Sequence, residues 1–267
     1  MNRVCVAYNI FDGIENLSAS VGSIRHIADA IIGVYQNVSN HGQQAPDDIE
    51  PLLKELGFDA IIHYTPIQNA RPAVNELAKR NIGLEWAEQN GFDLFMTMDC
   101  DESYNVGQLT SALEKFIQSG CDASSCQMQT YYFSFPYVYL APETYHVPLF
   151  YKTGLGRKFK EFIEWPVVAD PTRKLPSKKV LVFPRSEIQM HHFSYVRKNL
   201  RVKLENSSAR KNYESNIDEM VERYENWKPG QNALTVHGDV PLIDVRDLNI
   251  PLPLVSPEQC RTGFHNL

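Results

Sequence analysis

Between Val4 and Met98 four short apolar runs alternate with amphipathic helical stretches, and that alternation restricts the chain more than any other feature. A strand followed each time by a helix pairs in parallel with the next strand, because the helix carries the chain back along the sheet. The runs are Val4–Tyr8, Ala30–Tyr35, Ala60–Tyr64 and Phe92–Met98. Between them the spacing predicts three helices. The first lies around Ser18–His26, with Val21, Ile24 and Ile27 on one side; the others run from Pro46 to Leu56 and over Ala73–Gln89. Asp47 and Asp48 suit a helix N-terminus, while Gly57 and Asn90-Gly91 supply stops. Phe92–Met98 is nearly continuous in apolar residues, as expected of a central strand buried on both faces.

The second half changes character. Asn105 with Gln108 resembles a capping box for a helix that ends near Ser119, before Gly120. Gln127–Tyr139 alternates polar and aromatic residues and reads as strands. Within it, Tyr131–Tyr137 is expected to pack in the sheet, with stacking on a sugar or base as the alternative. Further strands are expected at Glu164–Ala169, Lys179–Phe183 and Ile188–Tyr195, then a polar helix over Ser208–Trp227 stopped by Pro229-Gly230. The proline-bearing tail after Asn232 has little periodicity and is expected to wrap the surface.

A hydrophobic content of 43% and a charged content of 22% suit a globular chain and argue against disorder. Ala28–Val34, an apolar run broken by Asp29, is far short of the roughly 20 residues of a membrane span. The N-terminus enters a strand-like run without a signal-peptide layout, so a cytoplasmic protein without membrane contact is expected. Five cysteines without paired spacing fit reduced thiols better than a zinc site. The net charge of −6 is uneven: residues 1–150 carry 7 Lys and Arg against 18 Asp and Glu, whereas residues 151–228 carry 17 against 10. A basic middle segment beside an acidic first half suggests either a region that meets phosphates or ordinary solvated charge.

The sharpest chemical feature is Met98-Asp99-Cys100-Asp101-Glu102. Two carboxylates one residue apart leave the sheet at the carboxyl edge of a buried strand, where open α/β sheets bind ligands. Hard oxygen donors of this kind suit Mg²⁺ or Mn²⁺ already bridged by a diphosphate.

With Tyr8-Asn9 ending the first strand, Tyr35-Gln36-Asn37 ending the second, and Lys79-Arg80-Asn81 preceding the D-x-D strand, residues 1–205 resemble the GT-A glycosyltransferases, especially the family-2-like group. Ala78–Gly83, Leu94–Tyr104 and Met190–Lys203 carry the resemblance most specifically. It implies an α/β fold: an open mixed sheet flanked by helices in a single domain. Residues 1–104 would form the nucleotide-sugar half, 105–205 the acceptor half, and 206–267 a helix and wrapping tail. It further implies a UDP-linked donor held by Tyr8, Asn9, Gln36, Asn37, Arg80, Asn81 and Asp99. Mn²⁺ or Mg²⁺ would sit on Asp99 and Asp101, with a late histidine, His191 or His192, as a further ligand. Neighbouring strand side chains diverge, so one of the two reaches the site; His192 is preferred. Arg197 and Lys203 would neutralise the departing diphosphate. The Asp-Asp-Gly that usually follows the second strand is replaced by Gln36-Asn37, which leaves base recognition open.

An inverting reaction needs a general base on the acceptor hydroxyl, whereas a retaining one does not. Asp170, Glu164 and Glu143 are candidates. Asp170 comes first as a strand-end acid, although an Asp before Pro171 also starts turns. The acceptor could be a saccharide, a protein or a hydroxymethylated DNA base. Two other functions remain open: nucleotidyl transfer, for which Asn9–Gly13 lacks the glycine-rich phosphate loop, and an inactive nucleotide-sugar or nucleic-acid binding module.

Overall fold

The computed structural model describes residues 2–133, 137–139 and 142–244. Its first half follows the alternation in the sequence: β1 (Val4–Ile10), α1 (Ile14–Ile24), β2 (Ala30–Tyr35), α2 (Glu50–Glu55), β3 (Ala60–His63), α3 (Pro72–Gln89) and β4 (Leu94–Asp99). The chain continues through β5 (Glu102–Ser103), α4 (Val106–Ser119), β6 (Ala123–Tyr132), β7 (Tyr137–Tyr139), β8 (His146–Lys152), β9 (Val180–Val182) and β10 (Gln189–Tyr195). It closes with α5 (Leu200–Asn206), α6 (Ile217–Glu225), β11 (Ala233–Thr235), β12 (Gly238–Val240) and β13 (Leu242–Asp244). Strands β3, β2, β1 and β4 pair in parallel in that order. Beyond β4 the sheet turns antiparallel through β8 and β6. The expected open mixed sheet flanked by helices is therefore what forms.

Strand alternation divides the core between the two faces of the sheet. Val4, Val6, Tyr8 and Ile10 pack with Leu17, Val21 and Ile24 of α1 and with Leu109 and Phe116 of α4. Cys5 and Ala7 join Phe95, Ile32, Leu84 and Ala87, placing α3 on the opposite face. That helix lies very close to the sheet: a Cβ on Gly83 would stand 2.8 Å from the Ala7 Cβ. A third cluster ties Tyr132 and Tyr195 to Leu200, Leu204, Met220 and Trp227.

Several expected elements differ. Segment Glu164–Ala169 makes no strand; Ala169 forms only a bridge to His146, and Val168 is exposed. Its apolar residues do not alternate into a core, so no ladder holds them. Strand β8 was not expected, because Pro148 interrupts its pattern; it lies between two antiparallel neighbours. The helix expected over Ser208–Trp227 shortens to α6 after two short 3₁₀ turns. Asn212, Ser215 and Asn216 are weak helix formers in that stretch. The unexpected α5 starts at Asn199, whose side chain accepts from the Val202 N–H at 3.2 Å. Part of the aromatic stretch and most of the tail, including Cys260, lie outside the described residues. No helix among the described residues is long and apolar enough to cross a membrane.

Candidate active site

The D-x-D sequence emerges where β4 ends, as the apolar run and its abrupt acidic close predict. Asn9 lies beside Asp99 in the β1–β4 register, so both belong to the carboxyl edge of the parallel strands. Residues Glu102 and Ser103 then pair antiparallel with His192 and His191. The acidic turn is thus fixed between two strands.

Around it the chain gathers cations from elements distant in sequence. Arg80 of α3, almost fully buried, donates to Thr97 Oγ1 at 2.8 Å and reaches both Asp99 oxygens at 3.3 Å. Arg173 is only 2% exposed. It donates to Asp99 Oδ2 at 2.6 Å and to both Glu102 oxygens, and its Nε lies 3.4 Å from Asp170 Oδ2. Asp101, 4% exposed at its side chain, is bonded by Arg197 and by Lys203 at 3.1 Å. The backbone of Arg197 is itself fixed by Tyr224, whose hydroxyl accepts from its N–H at 3.2 Å and donates to its C=O at 3.0 Å. Gly13, at φ +93°, leaves room for the Arg197 guanidinium; a Cβ there would meet Nη1 at 2.4 Å.

These contacts set the charges. Burial works to raise the Asp99 pKa, but Arg173 and Arg80 outweigh it and hold the group below the usual carboxylate range. Burial opposes ionisation of Asp101 too, yet Lys203, Arg197 and His192 hold it well below that range. Glu102 is pushed up to about 7 by burial, with Arg173 pulling against it. Asp99 keeps 34% of its side chain exposed, so it is the acid of this cluster most open to a ligand.

The two histidines diverge as strand geometry requires. His191 is buried, with Nδ1 2.6 Å from the Tyr131 hydroxyl. His192 turns toward the acidic turn, Nε2 3.7 Å from Asp101 Oδ2, and burial lowers its pKa to about 4. It is therefore neutral near pH 7 and carries a lone pair.

Other candidates are placed as follows. The Tyr8 hydroxyl bonds Ser20 at 3.0 Å inside the core, so its side chain belongs to β1–α1 packing. Gln36 is buried and donates to the Val38 carbonyl at 2.9 Å, whereas Asn37 is exposed. Asn81 donates to the Phe159 carbonyl at 3.1 Å and accepts from the Phe159 N–H at 2.8 Å, pinning the segment after β8. Asp170 lies within the arginine cluster; its Oδ1 also accepts from the Thr172 N–H and hydroxyl, each at 2.8 Å, so the turn role is realised as well. Glu143 accepts from Thr130, the ladder neighbour of His192. Glu164 is exposed, and no hydrogen bond or ion pair ties it to the cluster among the described residues. Arg173 and Glu76, the latter 3.6 Å from Arg80, were missed by sequence reasoning. Nothing in a local pattern says which distant acid a lone arginine will meet.

Among the described residues no group of three or more His, Cys, Asp or Glu is placed to hold a metal ion. Asp101 and His192 nevertheless form a carboxylate–imidazole pair whose acid is ionised and whose ring is neutral. A Mn²⁺ or Mg²⁺ ion on this pair would need further oxygen ligands, and the same Asp101 Oδ2 already carries Arg197 and Lys203.

No protein-family model matches the sequence. No curated protein matches it either. Solved structures similar to it include S. aureus TarS 1–349, at 11% identity and a TM-score of 0.46, covering 83% of this chain and 72% of that one. The same TarS fragment in complex with UDP-GlcNAc gives 12% identity and 0.46 over 85% and 73%. Glucosyl-3-phosphoglycerate synthase from Mycobacterium tuberculosis, in complex with Mn²⁺, UDP and phosphoglyceric acid, gives 13% and 0.31 over 49% and 43%.

Proposed function

We propose that this chain transfers a sugar from a nucleoside-diphosphate donor to an acceptor hydroxyl. The observation that carries the reading is the ionised Asp99–Asp101 pair at the carboxyl edge of β4, faced by Arg80, Arg173, Arg197 and Lys203. The GT-A-like sequence features point the same way. In this reading Asp99 faces the donor, and Asp99, Asp101 and His192 would hold Mn²⁺ or Mg²⁺. A divalent ion bound there would supply Lewis-acid stabilisation of the leaving diphosphate. Arg197 and Lys203 supply fixed positive charge to the same oxygens as the bond from C1 to the phosphate oxygen breaks. Asp170, 28% exposed at its side chain and positioned by Arg173, takes the proton of the acceptor hydroxyl in an inverting reaction. Glu143 and Glu164 are the alternative bases.

A thermal-shift panel tests donor class and metal need together. UDP-sugars with Mn²⁺ are expected to raise the midpoint well above either component alone, as mass action requires of a native-state ligand. No shift with any nucleotide sugar, with or without metal, counts against donor binding.

For the acceptor, a saccharide or protein hydroxyl is favoured over DNA. Much of the positive charge between residues 151 and 228 is used internally. Arg157 and Arg185 donate to backbone carbonyls, and Arg201 and Arg223 pair with Asp218 and Asp239. Duplex affinity read by fluorescence anisotropy at 50 and 200 mM salt is expected to be weak and nearly flat. A DNA-modifying enzyme with four to six phosphate contacts would instead lose roughly a hundredfold or more.

A further inference from the structure

The positive charge of the middle segment that is not used internally collects on one surface. Residues 152–165, which leave β8, run beside residues 174–179. The Lys160 N–H donates to the Lys174 carbonyl at 3.3 Å, Trp165 Nε1 to the Leu175 carbonyl at 3.2 Å, and Arg157 to the Pro176 carbonyl at 2.7 Å. Together the two stretches carry seven Lys and Arg against two acids, Glu161 and Glu164. Lys158, Lys160, Lys178 and Lys179 are exposed, and none of them makes an ion pair among the described residues. Neighbouring acids are taken up by other donors. Asp122 Oδ2 accepts from the Lys178 N–H at 2.9 Å, Glu88 Oε1 accepts from the Gly154 N–H at 3.1 Å, and Glu161 is bonded by Arg71.

Two large apolar side chains stand out of the same surface. Gly154 and Gly156, at φ +73° and +62°, turn the chain tightly around Leu155, which is 54% exposed. Phe162 is 89% exposed and has a φ of +61°, a left-handed conformation that is costly for a bulky residue. The chain is held in that shape on both sides, by Asn81 at Phe159 and by Trp165 at Leu175. Strain that keeps a ring in water stabilises nothing in the isolated chain, and strained residues gather where a ligand or surface is met. Nucleic-acid phosphates would satisfy the lysines but leave Leu155 and Phe162 in water. The interface of an anionic bilayer takes both, since lysines meet the headgroups while apolar side chains enter the acyl boundary.

We propose that this surface docks the protein peripherally on an anionic lipid bilayer. Phe162 and Leu155 insert, and Lys158, Lys160, Lys178 and Lys179 lie on the headgroups. The inference goes beyond the sugar-transfer reading and does not depend on it. Docking of this kind needs no spanning helix, so it departs from the expectation of no membrane contact without conflicting with the helices described. The strap continues through the exposed Val168 to Asp170, so a bound bilayer would adjoin the candidate site.

The test is co-sedimentation of the full chain with vesicles of phosphatidylcholine alone, and of phosphatidylcholine with phosphatidylglycerol in about equal parts. The wild type is expected to bind the anionic vesicles about tenfold or more tightly than the neutral ones, and less tightly as salt rises. Lys158→Gln with Lys160→Gln is expected to weaken that binding about twentyfold, since each charge near the surface counts for about fivefold. Phe162→Asn, in which asparagine tolerates the left-handed backbone, is expected to weaken it about fivefold or more. Both variants change exposed side chains, so their circular dichroism should match the wild type. Equal binding to the two vesicle types, or none to either, overturns the proposal. Unchanged binding by the double lysine variant overturns the role of the basic surface. If Phe162→Asn binds like the wild type and duplex DNA displaces the protein from the vesicles, the surface is a nucleic-acid site and the bilayer is overturned.

Discussion

Replacing Arg173 with methionine is expected to cost about 3–5 kcal/mol of stability, read as a shift of the urea midpoint at pH 7. The guanidinium bonds Asp99 and both oxygens of Glu102 and lies beside Asp170. Methionine restores most of the volume but none of the donors, so the loss is electrostatic rather than steric. Removing one partner of a buried ion cluster is far more damaging than replacing the whole cluster, because the remaining charges cannot recover water. Neutralising Glu102 as well, in Arg173→Met with Glu102→Gln, should return part of the lost stability. A single variant within about 1 kcal/mol of the wild type, below the usual range for a broken buried pair, would show that solvent already reaches these carboxylates.

The second large effect is on turnover. Asp101→Asn keeps an oxygen for Arg197 and Lys203 but removes the charge that, in the proposed function, would act on the diphosphate. Sugar transfer in Mn²⁺ is expected to fall by about 10²–10³, the scale seen when one preorganised electrostatic contact to a reacting group is lost. Chelation by EDTA should abolish wild-type activity, and added Mn²⁺ should restore it. Full transfer by the variant would remove Asp101 from the mechanism.

The parts of this protein that were legible in the sequence are those governed by local pattern. Strands β1, β2 and β4 are nearly unbroken apolar runs, and the acids that follow β4 mark the carboxyl edge of the parallel strands. The Asn105 cap was also legible: its side chain accepts from the Gln108 N–H at 3.1 Å. What escaped depends on distance along the chain. Strand β8 is held by its neighbours despite Pro148, and Arg173 bonds two acids more than 70 positions earlier, Asp99 and Glu102.

The short pairing between β5 and β10 makes the histidine at Asp101 a matter of counting. His192 stands opposite Glu102 and His191 opposite Ser103, and strand side chains alternate. A one-residue slip of β10 against β5 would therefore exchange the two imidazoles. What prevents that slip is the interior itself: Met190, His191 and Phe193 are buried, and a shift by one would trade their places with those of their neighbours.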